Sequence, residues 1–381
     1  MAPGAASCAH CAYVASGAPF YRPPPRGVGG GGGGCCSLTG VAWLVALFAV
    51  LIMVADERRL LGGRANPHAH VDMRGRVALV TGVSRNGLGL ETAAQLAAQG
   101  ATVLVTGRDR ARLDEAAALA SVRSGGGGGS VDASLPLLDL GDLSSVRAFA
   151  AAALVAHPRI DVLVLNAGVM AIPSLERTVD GLERTWATNH VGHFLLASLL
   201  KPALERSAAE TGDARVIAVA SGAARGGDLS PRSPAVLDAN YSHGRAYGVL
   251  GVSAYCHSKL ANVVMAAELA RRAAGTGLRA FSLHPGGVYT ELFRSVPYFS
   301  LLERALRPLL HALLKTPKEG AQTQLYLATA PIAELKSGAY YDDCAAVTDL
   351  RAHPQREDTA VGAALWRQTE ALIEASGGRG S

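Results

Sequence analysis

Negative charge is missing from the start of this 381-residue chain: residues 1–37 hold no Asp or Glu, and their only basic residues are Arg22 and Arg26. Elsewhere the imbalance is small. The net charge is +5 at pH 7, and the arginines are scattered without a concentrated basic stripe. Nucleic-acid binding, which needs such a stripe to meet phosphates, is not indicated. Cysteine is also sparse. Of six, Cys8, Cys11, Cys35 and Cys36 precede residue 38, and only Cys256 and Cys344 follow it. These last two read as single buried thiols in a reducing compartment, with no disulfide. Cys8-x-x-Cys11 has metal-ligand spacing, but the second pair, Cys35 and Cys36, is adjacent and lies beyond a Pro/Gly-rich tract, which argues against zinc. Next to an apolar run, Cys35 and Cys36 suit S-palmitoylation better. The histidines are dispersed: His68 and His70 read as a polar linker, and His190, His193, His257 and His284 lack a carboxylate–histidine pattern. No metal is expected. There is no internal repeat and no second domain, and the glycine tracts 29–34 and 125–129 read as flexible loops.

What is present begins with an uncharged run at residues 38–55, ended by Asp56-Glu57-Arg58-Arg59. Eighteen residues at about 1.5 Å rise span roughly 27 Å, enough for a thin bilayer. The run is apolar on every side, unlike an amphipathic core helix, and too long and too late for a signal peptide. It predicts a transmembrane anchor (38–55) after a disordered Gly/Pro-rich leader (1–37) and before a linker (56–75). Arg58, Arg59, Arg64, Arg74 and Arg76 lie beyond it, and this bias predicts that the part of the chain after the run is cytosolic. An acid-free leader is also compatible with an organellar transit peptide, so plastid or mitochondrion stays open beside the membrane reading.

From residue 76 to 375 apolar runs alternate with helical stretches, which predicts one doubly wound α/β domain, a Rossmann-type parallel sheet with helices on both faces. Runs such as 162–165 and 216–220 are unbroken, as expected for strands covered on both sides. After the first strand comes Thr81-Gly82-Val83-Ser84-Arg85-Asn86-Gly87-Leu88-Gly89, opening a helical stretch. Strand, glycine turn and helix N-terminus in that order form an anion site for a pyrophosphate. A second strand ends at Gly107-Arg108. An arginine there accommodates the 2′-phosphate of NADP, where a carboxylate would grip the ribose of NAD. Arg108 and Arg85 therefore predict NADP(H), with NAD second. Further on, Tyr255 and Lys259 stand four residues apart, on one helix face, 34 residues after Ser221. An ammonium beside a phenol is expected to lower its pKa from about 10 toward neutrality, so that the tyrosine can exchange a proton with a carbinol oxygen held by a serine.

With these residues the chain resembles the short-chain dehydrogenase/reductase family and, within it, the membrane-bound retinol dehydrogenases. The resemblance runs from about Arg76 to Trp366. Leu138-Asp139-Leu140 is similar to the adenine-contacting aspartate segment, Asn166-Ala167-Gly168 to the motif lining the cofactor, and Thr188-Asn189-His190-Val191-Gly192-His193-Phe194 to the helix whose asparagine completes the tetrad. Ala254-Tyr255-Cys256-His257-Ser258-Lys259-Leu260-Ala261-Asn262 and Leu283-His284-Pro285-Gly286 match the active-site helix and the segment over the nicotinamide. Glu319-Gly320-Ala321-Gln322-Thr323 and Ser337-Gly338-Ala339-Tyr340-Tyr341 continue the pattern.

The resemblance implies Asn189, Ser221, Tyr255 and Lys259 as catalytic residues. It implies Gly82, Ser84, Arg85, Asn86, Gly87, Leu88, Gly89, Arg108, Asp139, Leu140, Asn166, Ala167, Gly168, Pro285, Gly286, Val288 and Thr290, with Tyr255 and Lys259, around the dinucleotide. Ser221 would orient the substrate oxygen, Tyr255 pass the proton, Lys259 hold the ribose, and Asn189 hold a water leading to solvent. The implied substrate is a lipophilic alcohol or its aldehyde or ketone, retinol-like, drawn from membrane lipid, with the endoplasmic reticulum as the membrane. A homodimer is left open. Two departures stand out. Four residues separate Gly82 from Gly87 where the family usually has three, so the loop is expected to bulge and still bind. Ala218 and Ala220 replace a common asparagine and serine. The extra loop residue also prompts the alternative of a weakly catalytic redox sensor or membrane scaffold.

Overall fold

The computed structural model describes residues 63–231, 251–289, 314–348 and 353–377. The leader, the apolar run, residues 56–62 of the linker, the four N-terminal cysteines and Thr290 lie outside them. Eight strands are described: β1 (Val77–Thr81), β2 (Thr102–Thr106), β3 (Ser130–Asp132), β4 (Val162–Leu165), β5 (Ala214–Val219), β6 (Leu278–His284), β7 (Tyr340–Asp342) and β8 (Ala345–Ala346). They form one sheet in the order β3-β2-β1-β4-β5-β6-β7-β8. Every pairing is parallel except β7 with β8, which is antiparallel. The expected all-parallel sheet thus ends in a short hairpin.

The helices are α1 (Leu88–Ala98), α2 (Arg110–Arg123), α3 (Leu143–Ala156), α4 (Gly192–Thr211), α5 (Val252–Arg272), α6 (Pro317–Gly320), α7 (Gln322–Thr329) and α8 (Thr359–Gly377). They take both sides of the sheet. Leu79, Leu163, Leu165 and Val216 pack with α3, α4, α5 and α8. Ala78, Val80, Val162, Val164 and Ile217 pack with α1, α2 and α7. Covering both faces removes the need for polar alternation, and every position of β4 and β5 is buried. Among the described residues no helix is long and apolar enough to cross a membrane.

Chain order places the site. The sheet runs β1-β2-β3 in one direction and β1-β4-β5-β6 in the other. The loops leaving β1 and β4 therefore part at their C-terminal ends and open a crevice there. Helix α4 enters it unusually. A turn at Arg184–Trp186 runs through a π-helical turn, Ala187–Val191, before regular α-helix resumes at Gly192. Such turns concentrate at functional sites, and Asn189 lies inside this one.

Candidate active site

A cavity of about 490 Å³ opens at that crevice, lined by the ends of β1, β2, β4, β5 and β6 and the loops that follow them. Its floor is the glycine loop. Gly82 has φ +70°, and a Cβ there would meet Ala167 Cα at 2.6 Å, so only glycine lets the two loops touch. A Cβ on Gly89 would meet Asn166 Nδ2 at 2.8 Å. The extra loop residue is absorbed in a turn closed by the Gly87 N–H donating to the Ser84 carbonyl at 2.9 Å. Helix α1 still starts at Leu88, and its N-cap, Gly87, brings no side chain across the first amides. Asn166 ties the crevice together: its Nδ2 donates to the carbonyls of Thr81 (2.7 Å) and Gly82 (3.2 Å).

At one end of the cavity Ser221, Tyr255 and Lys259 come together. Ser221 follows β5 and caps the 3₁₀ turn Gly222–Gly226, accepting from Ala223 N–H at 3.2 Å. Its hydroxyl is near enough to the Tyr255 phenol to oppose the rise in the phenol's pKa. One turn further along α5, Lys259 Nζ lies 5.7 Å from the Tyr255 ring centroid and donates to the Val219 carbonyl at 2.9 Å. Asn189 does not line the cavity but stands behind it. Its Oδ1 accepts from Val169 N–H (2.8 Å), and its Nδ2 donates to the Val169 carbonyl (3.0 Å) and to Ser258 Oγ (3.0 Å).

The electrostatics correct one expectation. The Tyr255 phenol is not lowered toward neutrality; burial pushes it up to about 12, partly offset by the Ser221 hydroxyl. Burial likewise holds Lys259 down at about 8. Desolvation disfavours the charged form of each group, the phenolate of Tyr255 and the ammonium of Lys259. Cys256 and Cys344 are buried free thiols, both pushed up to about 11 by burial.

At the other end the cavity is lined by Arg108, Asp109 and Arg112. Asp109 is occupied as the α2 N-cap, accepting from Arg112 N–H at 3.0 Å. Arg85 is not at the cavity: it pairs with Glu115 at 2.8 Å on the outside. Gly82, Ser84, Gly87, Leu88, Arg108, Asp139, Leu140, Asn166, Ala167, Gly168, Pro285, Gly286 and Val288 all line the cavity, whereas Arg85, Asn86 and Gly89 do not. The sequence reading named Thr81 and Gly320 only as members of motifs and missed Arg112 altogether. A Cβ on Gly320 would meet both Val288 (2.5 Å) and Leu88 (2.6 Å), so this glycine lets α6 close against the cavity wall. Arg112 lies in the first turn of α2, just after the strand end that carries Arg108, and that place beside the diagnostic arginine is the signal that could have found it.

The residues fit a dinucleotide: a glycine cradle that side chains would fill, a helix N-terminus open to phosphate, and guanidinium groups at the far end. The short chain dehydrogenase family model matches residues 76–230. Retinol dehydrogenase 14 of Mus musculus is 40% identical over 308 residues, covering 79% of this chain and 86% of that protein. Retinol dehydrogenase 12 of Homo sapiens is 38% identical over 307 residues, covering 81% and 90%. Among solved structures, an uncharacterized protein from Mycobacterium paratuberculosis superposes with a TM-score of 0.58 at 31% identity, covering 80% of this chain and 95% of that one. The RhlG/NADP active-site complex of Pseudomonas aeruginosa gives 0.53 at 26% identity, covering 72% and 97%. By this extent of likeness, on a sheet and crevice of the same kind, the chain belongs to the short-chain dehydrogenase family and resembles its retinol dehydrogenases.

Proposed function

We propose that the protein is an NADP(H)-dependent oxidoreductase interconverting a lipophilic alcohol and its aldehyde or ketone, with a retinoid-like substrate. The observation that carries this is the convergence of Ser221, Tyr255 and Lys259 at one end of a single cavity whose other end is lined by Arg108 and Arg112. Gly82, Gly87 and the start of α1 would hold the pyrophosphate and Asp139 the adenine end, while Arg108 and Arg112 would meet a 2′-phosphate. When bound, the nicotinamide supplies or accepts the hydride. The chain's own residues handle the oxygen. Ser221 holds it by hydrogen bonding, and Tyr255 gives it a proton or takes one away. Lys259 places a cation beside the phenolate that the alcohol-forming direction leaves behind. A phenol held near 12 stays protonated at neutral pH and so carries the proton that carbonyl reduction needs. The names of the relatives support the substrate class, and the RhlG complex supports NADP as the dinucleotide. Asn189 acts as a strut: its amide is engaged with Val169 and Ser258, so it sets the backbone beside Lys259.

Tyr255→Phe tests the assignment. Removing a positioned acid costs roughly 10²–10⁴-fold in rate. The variant should bind NADPH like the wild type and turn over retinal at less than about a hundredth of its rate. More than a tenth of the rate retained would refute the role, and a wild-type chain that binds NADPH without turnover would favour the redox-sensor reading.

We further propose that residues 38–55 anchor the enzyme in a membrane with the catalytic domain on the cytosolic side. The uncharged composition of the run and the arginines after it support this. The full chain should resist carbonate extraction from membranes, and a chain lacking residues 1–60 should be soluble. A mature chain beginning after residue 55 would instead indicate a cleaved targeting peptide.

A further inference from the structure

His193 has no part in that assignment, yet it bridges the two halves of the site. It lies in the first turn of α4 and is fully buried. Its Nδ1 is 3.1 Å from the Asn189 backbone carbonyl and its Nε2 is 3.0 Å from Thr81 Oγ1. A carbonyl has no proton to give, so Nδ1 must carry the hydrogen. Thr81 Oγ1 already accepts from the backbone N–H groups of Asn166 (2.9 Å) and Ala167 (3.0 Å), which uses both its lone pairs. What remains is its own proton, which Nε2 accepts at 3.0 Å, nearer than the Val164 carbonyl at 3.4 Å. The partners therefore admit one state, a neutral imidazole with hydrogen on Nδ1. A second ring proton would point at an oxygen with no free lone pair. Burial works in the same sense; the hydrogen bond to the Asn189 carbonyl opposes it and the charge of Lys259 adds to it, and the balance holds His193 at about 3.

The groups on either side of the ring are those the reaction must bring together. Thr81 ends β1, and its hydroxyl fixes the backbone of Asn166 and Ala167, against which Gly82 lies. Asn189 holds Val169 and Ser258, and Ser258 Oγ donates to the Tyr255 carbonyl at 2.8 Å. Thr81, His193, Asn189, Ser258 and Tyr255 thus form one continuous path, none of them more than 5% exposed. We propose that His193 is a positioning residue: its neutral bridge fixes the dinucleotide loop relative to the helix that carries the proton donor. This rests on the oxidoreductase reading above. Reacting groups displaced by about 1 Å can lose roughly 10²-fold in rate, so a broken bridge should be felt in the chemical step.

Two variants cut the bridge on opposite sides. His193→Asn keeps an amide donor where Nδ1 stands and loses the acceptor for Thr81. His193→Gln keeps the acceptor and loses the donor to Asn189. The full chain in detergent micelles, loaded with NADPH, is mixed with all-trans-retinal and the loss of NADPH absorbance is followed through one turnover. The amplitude counts competent sites and the rate constant reports the chemistry. We expect NADPH affinity within about threefold of wild type, near-normal amplitudes and rate constants lowered about tenfold or more in both variants. Lower amplitudes with unchanged rate constants would mean a purely structural role, and wild-type behaviour in both would mean no role; either overturns the proposal. Should one variant fail to fold, the other carries the test. No transient in the wild-type chain would overturn the oxidoreductase reading, and this inference with it. The tautomer gives an independent check. In ¹⁵N-histidine-labelled wild-type protein, the signals lost in His193→Asn should report an Nδ1–H tautomer unchanged from about pH 5.5 to about pH 9; titration in that range would overturn the bridge.

Discussion

Lys259 donates to the Val219 carbonyl at 2.9 Å from a position only 4% exposed, and burial holds its pKa down at about 8 against an ordinary 10.5. The depressed value means that the folded chain binds this proton less well than the unfolded chain does. Below pH 8 the charge is a full penalty on the fold; the penalty is relieved as pH rises from 8 to 10.5. At about 1.36 kcal/mol per unit the penalty is roughly 3 kcal/mol. Lys259→Met should therefore gain stability relative to wild type at pH 7, and the gap should close by roughly that amount toward pH 10.5. Denaturant unfolding of both proteins across this range is the measurement. A gap that does not change with pH would show that the ammonium is better solvated than its surroundings imply.

The arginines at the far end of the cavity make distinct predictions. Arg108 and Arg112 line the cavity, whereas Arg85 is paired outside it with Glu115. A hydrogen bond to a charged group contributes about 1.5–3 kcal/mol. Arg108→Ala and Arg112→Ala should each weaken NADPH about tenfold or more and leave NADH nearly unchanged. Arg85→Ala should change neither cofactor by more than about twofold, because an exposed ion pair contributes only about 0–1 kcal/mol. Titration of each variant with both dinucleotides decides this. Equal losses for NADPH and NADH would remove the 2′-phosphate from the argument.

Gly82 and Gly75 separate backbone strain from close packing. Both have positive φ, +70° and +77°, but a Cβ on Gly82 would lie 2.6 Å from Ala167 Cα, while one on Gly75 would have nothing within 4 Å. Gly75→Ala should cost only the strain of the left-handed conformation, about 1 kcal/mol. Gly82→Ala must also part the β1 and β4 loops, and should cost about 3 kcal/mol or more and abolish dinucleotide binding. Similar unfolding midpoints for the two variants would refute this difference.

Much of the site was legible in the sequence because its signals are local. The run from Thr81 to Gly89 announces a turn and a helix start, and Tyr255 and Lys259 share a helix face by spacing alone. Buried strands such as β4 are unbroken apolar runs, so the parallel sheet could be read from them. What could not be read depends on distant partners. Arg85 looks like a phosphate reader until α2 brings Glu115 to it. The Tyr255 pKa depends on how tightly β5 and α5 enclose the phenol, which no spacing reports, and so the charge argument gave the wrong direction. His193 looked like one dispersed histidine among several, because Thr81, 112 positions away, meets it only across the folded crevice. The π-helical turn at Ala187–Val191 has no sequence signature to set it apart from the helix it interrupts.

His190, next to Asn189, gives the acid limb of stability. Its Nε2 lies 3.0 Å from Thr369 Oγ1 on α8, and Thr369 already donates its own hydrogen to the Leu365 carbonyl at 2.8 Å. His190 is therefore the donor, with its hydrogen on Nε2. Burial holds the ring down at about 4, against an ordinary 6.5. Because the folded pKa is depressed, this contribution is fully present above pH 6.5 and is lost as pH falls toward 4. The loss amounts to roughly 3 kcal/mol at about 1.36 kcal/mol per unit. His190→Gln keeps an amide donor for Thr369 and removes the titration. Wild type should match or exceed this variant in stability at pH 7 and lose ground to it steadily between pH 6.5 and 4. Unfolding curves that stay parallel over that range would mean that His190 is hydrated or already protonated in the fold, and that α8 is not docked through a neutral ring.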